Sequence, residues 1–92
     1  MAYRVLVHRK AKDTYDNLPP ETQKRVKKAL QELTKDPFKP RTNADIRKLS
    51  GTKGRKPAYR VRVGDYRIVY DIDGKDILVT ILFHRGKEYT EL

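Results

Sequence analysis

Apolar and polar residues alternate at the start of the chain. Tyr3, Val5 and Val7 fall on one side and Arg4, Leu6 and His8 on the other, which predicts a strand over residues 2–8. From Arg9 the period lengthens. Ala11, Tyr15 and Leu18 recur at i, i+4 and i+7, predicting a short helix that Pro19 and Pro20 end. Pro20 also suits the opening of a second helix, where its missing N–H has no intrahelical partner, and Glu21 then lies at the positive helix terminus. Val26, Ala29, Leu30 and Leu33 form one stripe of that helix, Lys24, Lys27, Lys28 and Lys35 occupy much of the rest, and Asp36-Pro37 stops it. The two helices are expected to form a hairpin over one sheet face.

Residues 37–57 are polar, basic and punctuated by Pro37, Pro40, Gly51, Gly54 and Pro57, the pattern of a long loop with Ile46 and Leu49 as anchors. Alternation then resumes. Tyr59, Val61 and Val63 share one side of a strand over 58–63. Gly64-Asp65 is a two-residue hairpin signal, and Tyr66, Ile68, Tyr70 and Ile72 align in the next strand. Asp73-Gly74 is a second hairpin signal. The run 77–83 is almost wholly apolar, as a strand buried on both faces would be. The order predicts a two-layer α+β fold: a mainly antiparallel four-stranded sheet with a helical hairpin on one face (β-α-α-β-β-β), the first strand beside the central apolar strand or at an edge.

Ninety-two residues suffice for one domain, here 1–92, and leave little core for a cofactor-sized cavity. No run approaches the ~18 apolar residues of a membrane span, and no charged-then-apolar leader is visible, so neither membrane insertion nor export is expected. Cysteine is absent, which excludes disulfides, Cys-based zinc sites and a cysteine nucleophile, and fits a reducing compartment.

Charge changes the picture most. Lys and Arg number 22 against 12 Asp and Glu, a net charge of +10, so a polyanion is the default partner. Residues 47–70 hold eight of the cations, Arg47, Lys48, Lys53, Arg55, Lys56, Arg60, Arg62 and Arg67, against Asp65 alone. A Gly64-Asp65 turn sets Val63 opposite Tyr66, Arg62 opposite Arg67, Val61 opposite Ile68 and Arg60 opposite Val69. Arg60, Arg62 and Arg67 then share one face. Two arginines directly opposed cost about 0.2–1 kcal/mol, which an anion between them would relieve. An Asp73-Gly74 turn sets Arg67 opposite Thr80 and brings His84 and Arg85 to the Gly64-Asp65 end of the sheet, within reach of Arg62 and Arg67, where Tyr89 could fold back over the same region. The competing reading is a solvated face whose arginine stems cover apolar surface.

The two histidines lie at opposite ends, and no carboxylate cluster has ligand spacing, so neither metal nor cofactor is expected. A metal-free phosphoryl reaction remains: a ribose 2′-hydroxyl attacks its neighbouring phosphate. Arginines stabilise the added charge, but arginine does not deprotonate and cannot be the base. The proton-transfer candidates are His84, Tyr89, Tyr59, Tyr66, Lys53, Lys56 and Glu88. His84 has the natural pKa for the task, whereas Tyr59 and Tyr66 align with core valines.

The stretch Tyr-Arg-Val-Arg-Val-Gly-Asp-Tyr-Arg-Ile-Val-Tyr over residues 59–70 resembles the RelE/ParE toxin superfamily, most closely RelE-like mRNA interferases. The opening Ala-Tyr-Arg-Val, the Lys-Leu-Ser-Gly before the basic loop, and His-Arg followed by a tyrosine extend the likeness over essentially the whole chain. The resemblance implies a cytoplasmic toxin that cuts mRNA in the ribosomal decoding site and is blocked by a cognate antitoxin. Its partners would be that antitoxin, the ribosome, mRNA and ribosomal RNA. It implies catalytic roles for Arg60, Arg62, Arg67, Arg85 and Tyr89, with His84 as the remaining candidate. Lys48, Lys53, Arg55 and Lys56 are the candidate RNA contacts. Arg60 and Arg62 stand where several relatives have lysine. Two alternatives accompany this reading, a ParE-like inhibitor of DNA gyrase and a non-catalytic RNA-binding module.

Overall fold

In a computed structural model that describes residues 2–49 and 58–85, the chain forms β1 (Arg4–Val7), α1 (Arg9–Asp16), α2 (Pro20–Lys35), β2 (Asp45–Lys48), β3 (Ala58–Val63), β4 (Tyr66–Asp73) and β5 (Asp76–His84). These make one five-stranded sheet in the order β1-β5-β4-β3-β2, antiparallel except for the parallel β1–β5 pair. The fold is α+β, with β1 at the edge beside β5. The expected loop over 37–57 contains β2, so the sheet has five strands rather than four. Asp45-Ile46-Arg47-Lys48 alternates over only four residues, too short a run to outweigh the prolines around it. Pairing with β3 supplies its hydrogen bonds, and burial of Ile46 anchors it.

Each helix end has a local cause. The His8 imidazole accepts a hydrogen bond from the Lys10 backbone N–H at 3.2 Å and so caps α1. Pro20 opens α2, and Asp36 ends it with extended backbone while its carboxylate accepts from the N–H groups of Phe38 and Lys39. Those two N–H groups hold the Asp36 carboxyl below its ordinary range. Leu18 lies just beyond α1 but still packs on the core. Val26, Ala29 and Leu33 of α2 are buried with Ala11 of α1 against Val61, Ile68, Tyr70, Ile77, Val79 and Leu82 of the sheet.

Both hairpins place glycine first in a two-residue turn. Gly64 has φ +58° and Gly74 has φ +62°, and no other described residue has positive φ, the pattern of a type II′ turn. In the first hairpin every expected pair is present: Val63 with Tyr66, Arg62 with Arg67, Val61 with Ile68, and Arg60 with Val69. The second turn is Gly74-Lys75, closed by Asp73 opposite Asp76, because glycine takes the first turn position rather than the second. A register shift between Val69 and Tyr70 then leaves Thr80 as an extra residue in β5, and its hydroxyl donates to the Val69 carbonyl. Arg67 therefore faces Phe83, not Thr80.

The bulge also changes which side chains reach the core. Ile77, Val79 and Leu82 are buried, whereas Leu78, Ile81 and Phe83 are only half-buried on the opposite face. β5 is thus covered on one face rather than both, because the helices occupy a single side of the sheet.

Tyr70 is fully buried, and its hydroxyl donates to the Pro37 carbonyl at 2.7 Å, tying β4 to the segment after α2. Burial pushes its phenol well above the ordinary value, so the hydroxyl stays a donor. Tyr70→Phe orphans that carbonyl. The expected result is a loss of about 1–3 kcal/mol in urea denaturation, with an unchanged m-value.

Candidate nucleic-acid interface

Alternation in β2, β3 and β4 sends Arg47, Arg60, Arg62 and Arg67 to the helix-free face. Two opposed arginine pairs result: Arg47 with Arg60 across β2–β3, and Arg62 with Arg67 across β3–β4. Arg47 belongs to this cluster only because β2 exists. Its signal in the sequence was the same alternation in the four-residue strand.

The arginines are not equivalent. Arg62 Nε pairs with Asp45 Oδ2 at 2.8 Å, both half-exposed. Arg85 follows β5, and its N–H donates to the Asp65 carbonyl at 2.7 Å, which fixes it at the β3–β4 turn. Its guanidinium lies 3.7 Å from the exposed Asp65 carboxylate. Arg67 Nη1 donates to the carbonyls of Gly64 and Tyr66, which holds the guanidinium over the turn. Arg60 Nε is buried and has no hydrogen-bond partner among the described residues. A buried donor left unmet costs about 1–3 kcal/mol, and an incoming anion would supply its acceptor.

The arginines of this face also act on one another. Burial, then the charges of Arg60, Arg62 and Arg85, pull the Arg67 guanidinium below its ordinary value, with Asp45 opposing. Three arginines from separate positions in the chain thus repel a fourth at one place. An anion bound there is favoured both by Coulomb attraction and by relief of that repulsion.

The other sequence candidates separate. His84 pairs in register with Tyr66, and their rings meet edge-to-face at 5.1 Å. That puts His84 at the strand end near Arg85 but on the opposite face from Arg62 and Arg67. Tyr59 stacks on Tyr70 within the aromatic group that includes Phe38, as a core residue does. Lys48 is exposed at the end of β2. Lys53, Arg55, Lys56, Glu88 and Tyr89 lie outside the described residues. No group of three or more metal-ligating side chains gathers among the described residues, and no helix there is long and apolar enough to cross a membrane.

Asp45 is a carboxylate that restrains this face through Arg62. Asp45→Asn frees Arg62, and is expected to steepen the logarithmic salt dependence of binding to a single-stranded RNA oligonucleotide by about 0.7. Exposed ion pairs contribute only about 0–1 kcal/mol, so stability should barely change. Fluorescence anisotropy over a salt series measures the first and thermal unfolding the second.

Fold and face together define a class: a small α+β domain that gathers arginines on the helix-free side of its sheet. The family model for the ParE toxin of the type II toxin–antitoxin system, parDE, matches residues 5–89. RelE1 of Methanocaldococcus jannaschii is 31% identical over 81 residues, covering 88% of this chain and 86% of that protein. The archaeal RelE–RelB complex from Pyrococcus horikoshii OT3 contains a chain with TM-score 0.79 and 34% identity, covering 96% of this chain and 100% of that one. A RelB–RelE antitoxin–toxin complex from Methanococcus jannaschii gives TM-score 0.68 and 27% identity over 88% and 91% of the two chains. The chain belongs to the RelE/ParE superfamily of toxins from type II toxin–antitoxin systems.

Proposed function

We propose that this toxin is a ribosome-dependent, metal-independent endoribonuclease that cleaves mRNA in the decoding site and so stops translation. The observation that carries the reading is the Arg60–Arg62–Arg67 cluster, in which Arg60 Nε lacks an acceptor among the described residues and Arg67 is crowded by like charge. In the reaction the 2′-hydroxyl loses its proton and attacks the adjacent phosphorus. The bond to the 5′-oxygen breaks, that oxygen takes a proton, and a 2′,3′-cyclic phosphate remains. Arg60, Arg62 and Arg67 would neutralise the phosphorane, and Arg85 would approach from the turn. Tyr89 is assigned to proton transfer; His84, whose ring packs on Tyr66 on the opposite face from Arg62 and Arg67, is kept only as the strand-end candidate beside Arg85. Their roles are tested by His84→Ala and Tyr89→Phe, read as rate against pH.

The proposed partner is a cognate antitoxin. The helix-free face is arginine-rich over β2–β4 and apolar at Leu6, Leu78, Ile81 and Phe83. An amphipathic acidic segment would match both halves and cover the arginines. The related RelE proteins that crystallised with RelB support this assignment. Lys48, Lys53, Arg55 and Lys56 are assigned to RNA contacts beside the cluster, and the reading places the toxin in the cytoplasm.

Purified protein incubated with mRNA-programmed ribosomes should generate new mRNA 5′ ends at the decoding site. A second reading, inhibition of DNA gyrase, is favoured by the ParE description of the matching family. Absence of new ends, together with trapped gyrase–DNA complexes, would establish it instead. Salt-sensitive RNA binding with neither outcome would leave an RNA-binding module.

A further inference from the structure

A second basic surface lies outside the arginine face. Helical spacing puts Arg25, Lys28, Glu32 and Lys35 of α2 on one stripe, at i, i+3, i+7 and i+10. That stripe forms one wall of an open groove of about 730 Å³, whose other wall includes Thr42 and Arg62. Arg25 and Lys28 are exposed and have no ion-pair partner among the described residues. Arg25 and Lys28 are like charges one turn apart, a spacing that by itself disfavours the helix. Glu32, the groove's carboxylate, is already engaged: Arg41 Nε lies 3.2 Å from one of its oxygens and Lys35 Nζ 3.3 Å from the other. Both partners hold its carboxyl below the ordinary range, so it is an occupied acceptor rather than a free repulsive charge. Lys35 shares Glu32 with Arg41, and Arg62 pairs with Asp45, so Arg25 and Lys28 are the charges that leave the groove positive.

Two contacts join this groove to the arginine face. Arg62 belongs to both. Arg25 Nη1 reaches the β3–β4 turn and would stand 3.5 Å from a Cβ placed on Gly64. The positive surface is therefore continuous from α2, past the turn, to Arg62 and Arg67. At about 730 Å³ and open to solvent, the groove is larger than one phosphate needs and suits a run of them.

We propose that this groove anchors the phosphodiester backbone of structured RNA in the ribosome, apart from the phosphate that is cut. The proposal deepens the RNA-directed reading above and rests on it. Arg25 and Lys28 would each contact a backbone phosphate and set the orientation in which the arginine face meets the mRNA. Such contacts carry affinity and register but no base sequence.

The test compares Arg25→Glu/Lys28→Glu with Lys10→Glu/Lys39→Glu, which makes the same charge change at exposed positions outside the groove. Binding of each to programmed ribosomes is measured by co-sedimentation across a salt series, with thermal unfolding to establish that both variants fold. The groove variant should lose about tenfold or more in affinity, and its logarithmic salt slope should flatten by about 1.5, as expected for two lost phosphate contacts. The control should lose markedly less. Equal losses would mean that bulk charge is responsible, and no loss would mean that the groove is not used. Either result overturns the proposal, as does a variant that weakens only binding of an acidic protein partner. Wild-type protein that binds ribosomes without cutting mRNA, while the groove variant still loses binding, would refute the nuclease reading and leave the anchor standing.

Discussion

Arg67→Ala is expected to lower cleavage of ribosome-bound mRNA by at least about 10²-fold while leaving the fold intact. Arg67 is the most crowded member of the cluster, feeling Arg60, Arg62 and Arg85 at once. It is also the best held, through two backbone carbonyls at the β3–β4 turn. A preorganised donor aimed at developing negative charge contributes roughly 10²–10³ in rate, or about 2.7–4 kcal/mol of transition-state stabilisation. Its removal should act on kcat more than on ribosome affinity, because the phosphorane carries charge that the ground state lacks. Single-turnover cleavage on programmed ribosomes separates the two. A loss confined to KM would show that Arg67 binds RNA without stabilising the reaction. Removing it also relieves like-charge repulsion, so the free protein should be no less stable than the parent.

The largest stability effect is expected at Leu33. Its side chain is fully buried where α2 meets the sheet. Leu33→Ala removes that contact and leaves a cavity, at a cost of about 2–5 kcal/mol. For a domain of this size the melting temperature should fall by more than about 10 °C. The sheet's arginine face lies on the other side, so binding by the fraction still folded should be unchanged. Thermal unfolding followed by circular dichroism, with RNA binding measured well below the transition, tests both halves.

The first hairpin and α2 were legible because their signals are local. In β3 and β4 strict alternation and a glycine-led turn point to one register, so the opposition of Arg62 and Arg67 could be read residue by residue. In α2 the stripe of Val26, Ala29 and Leu33 and the stop at Asp36-Pro37 agree with each other. β2 was not legible. Four residues cannot declare a strand, and their pairing with β3 is a contact across an intervening segment. The second hairpin misled for a related reason. Asp73-Gly74 and Gly74-Lys75 are both plausible turns by residue type, and the apolar run in β5 leaves the register to be chosen by core packing. The Thr80 bulge resolves it by turning Leu82 inward and Phe83 outward. His84 depended on that register, which sends its ring to Tyr66 and away from Arg67.

Charge, alternation and turn chemistry are properties of neighbouring residues, and from them alone came the α+β class, the basic character and the choice of Arg60, Arg62 and Arg67. Three-dimensional packing decided the rest: Arg47 joins the cluster, Asp45 neutralises Arg62, Arg60 keeps an unmet donor, and Arg25 meets the hairpin turn. Each of these depends on segments distant in the chain being brought together by burial of a shared core. A linear pattern records which side chains are available, but only the packed sheet and helices determine which charges share a surface.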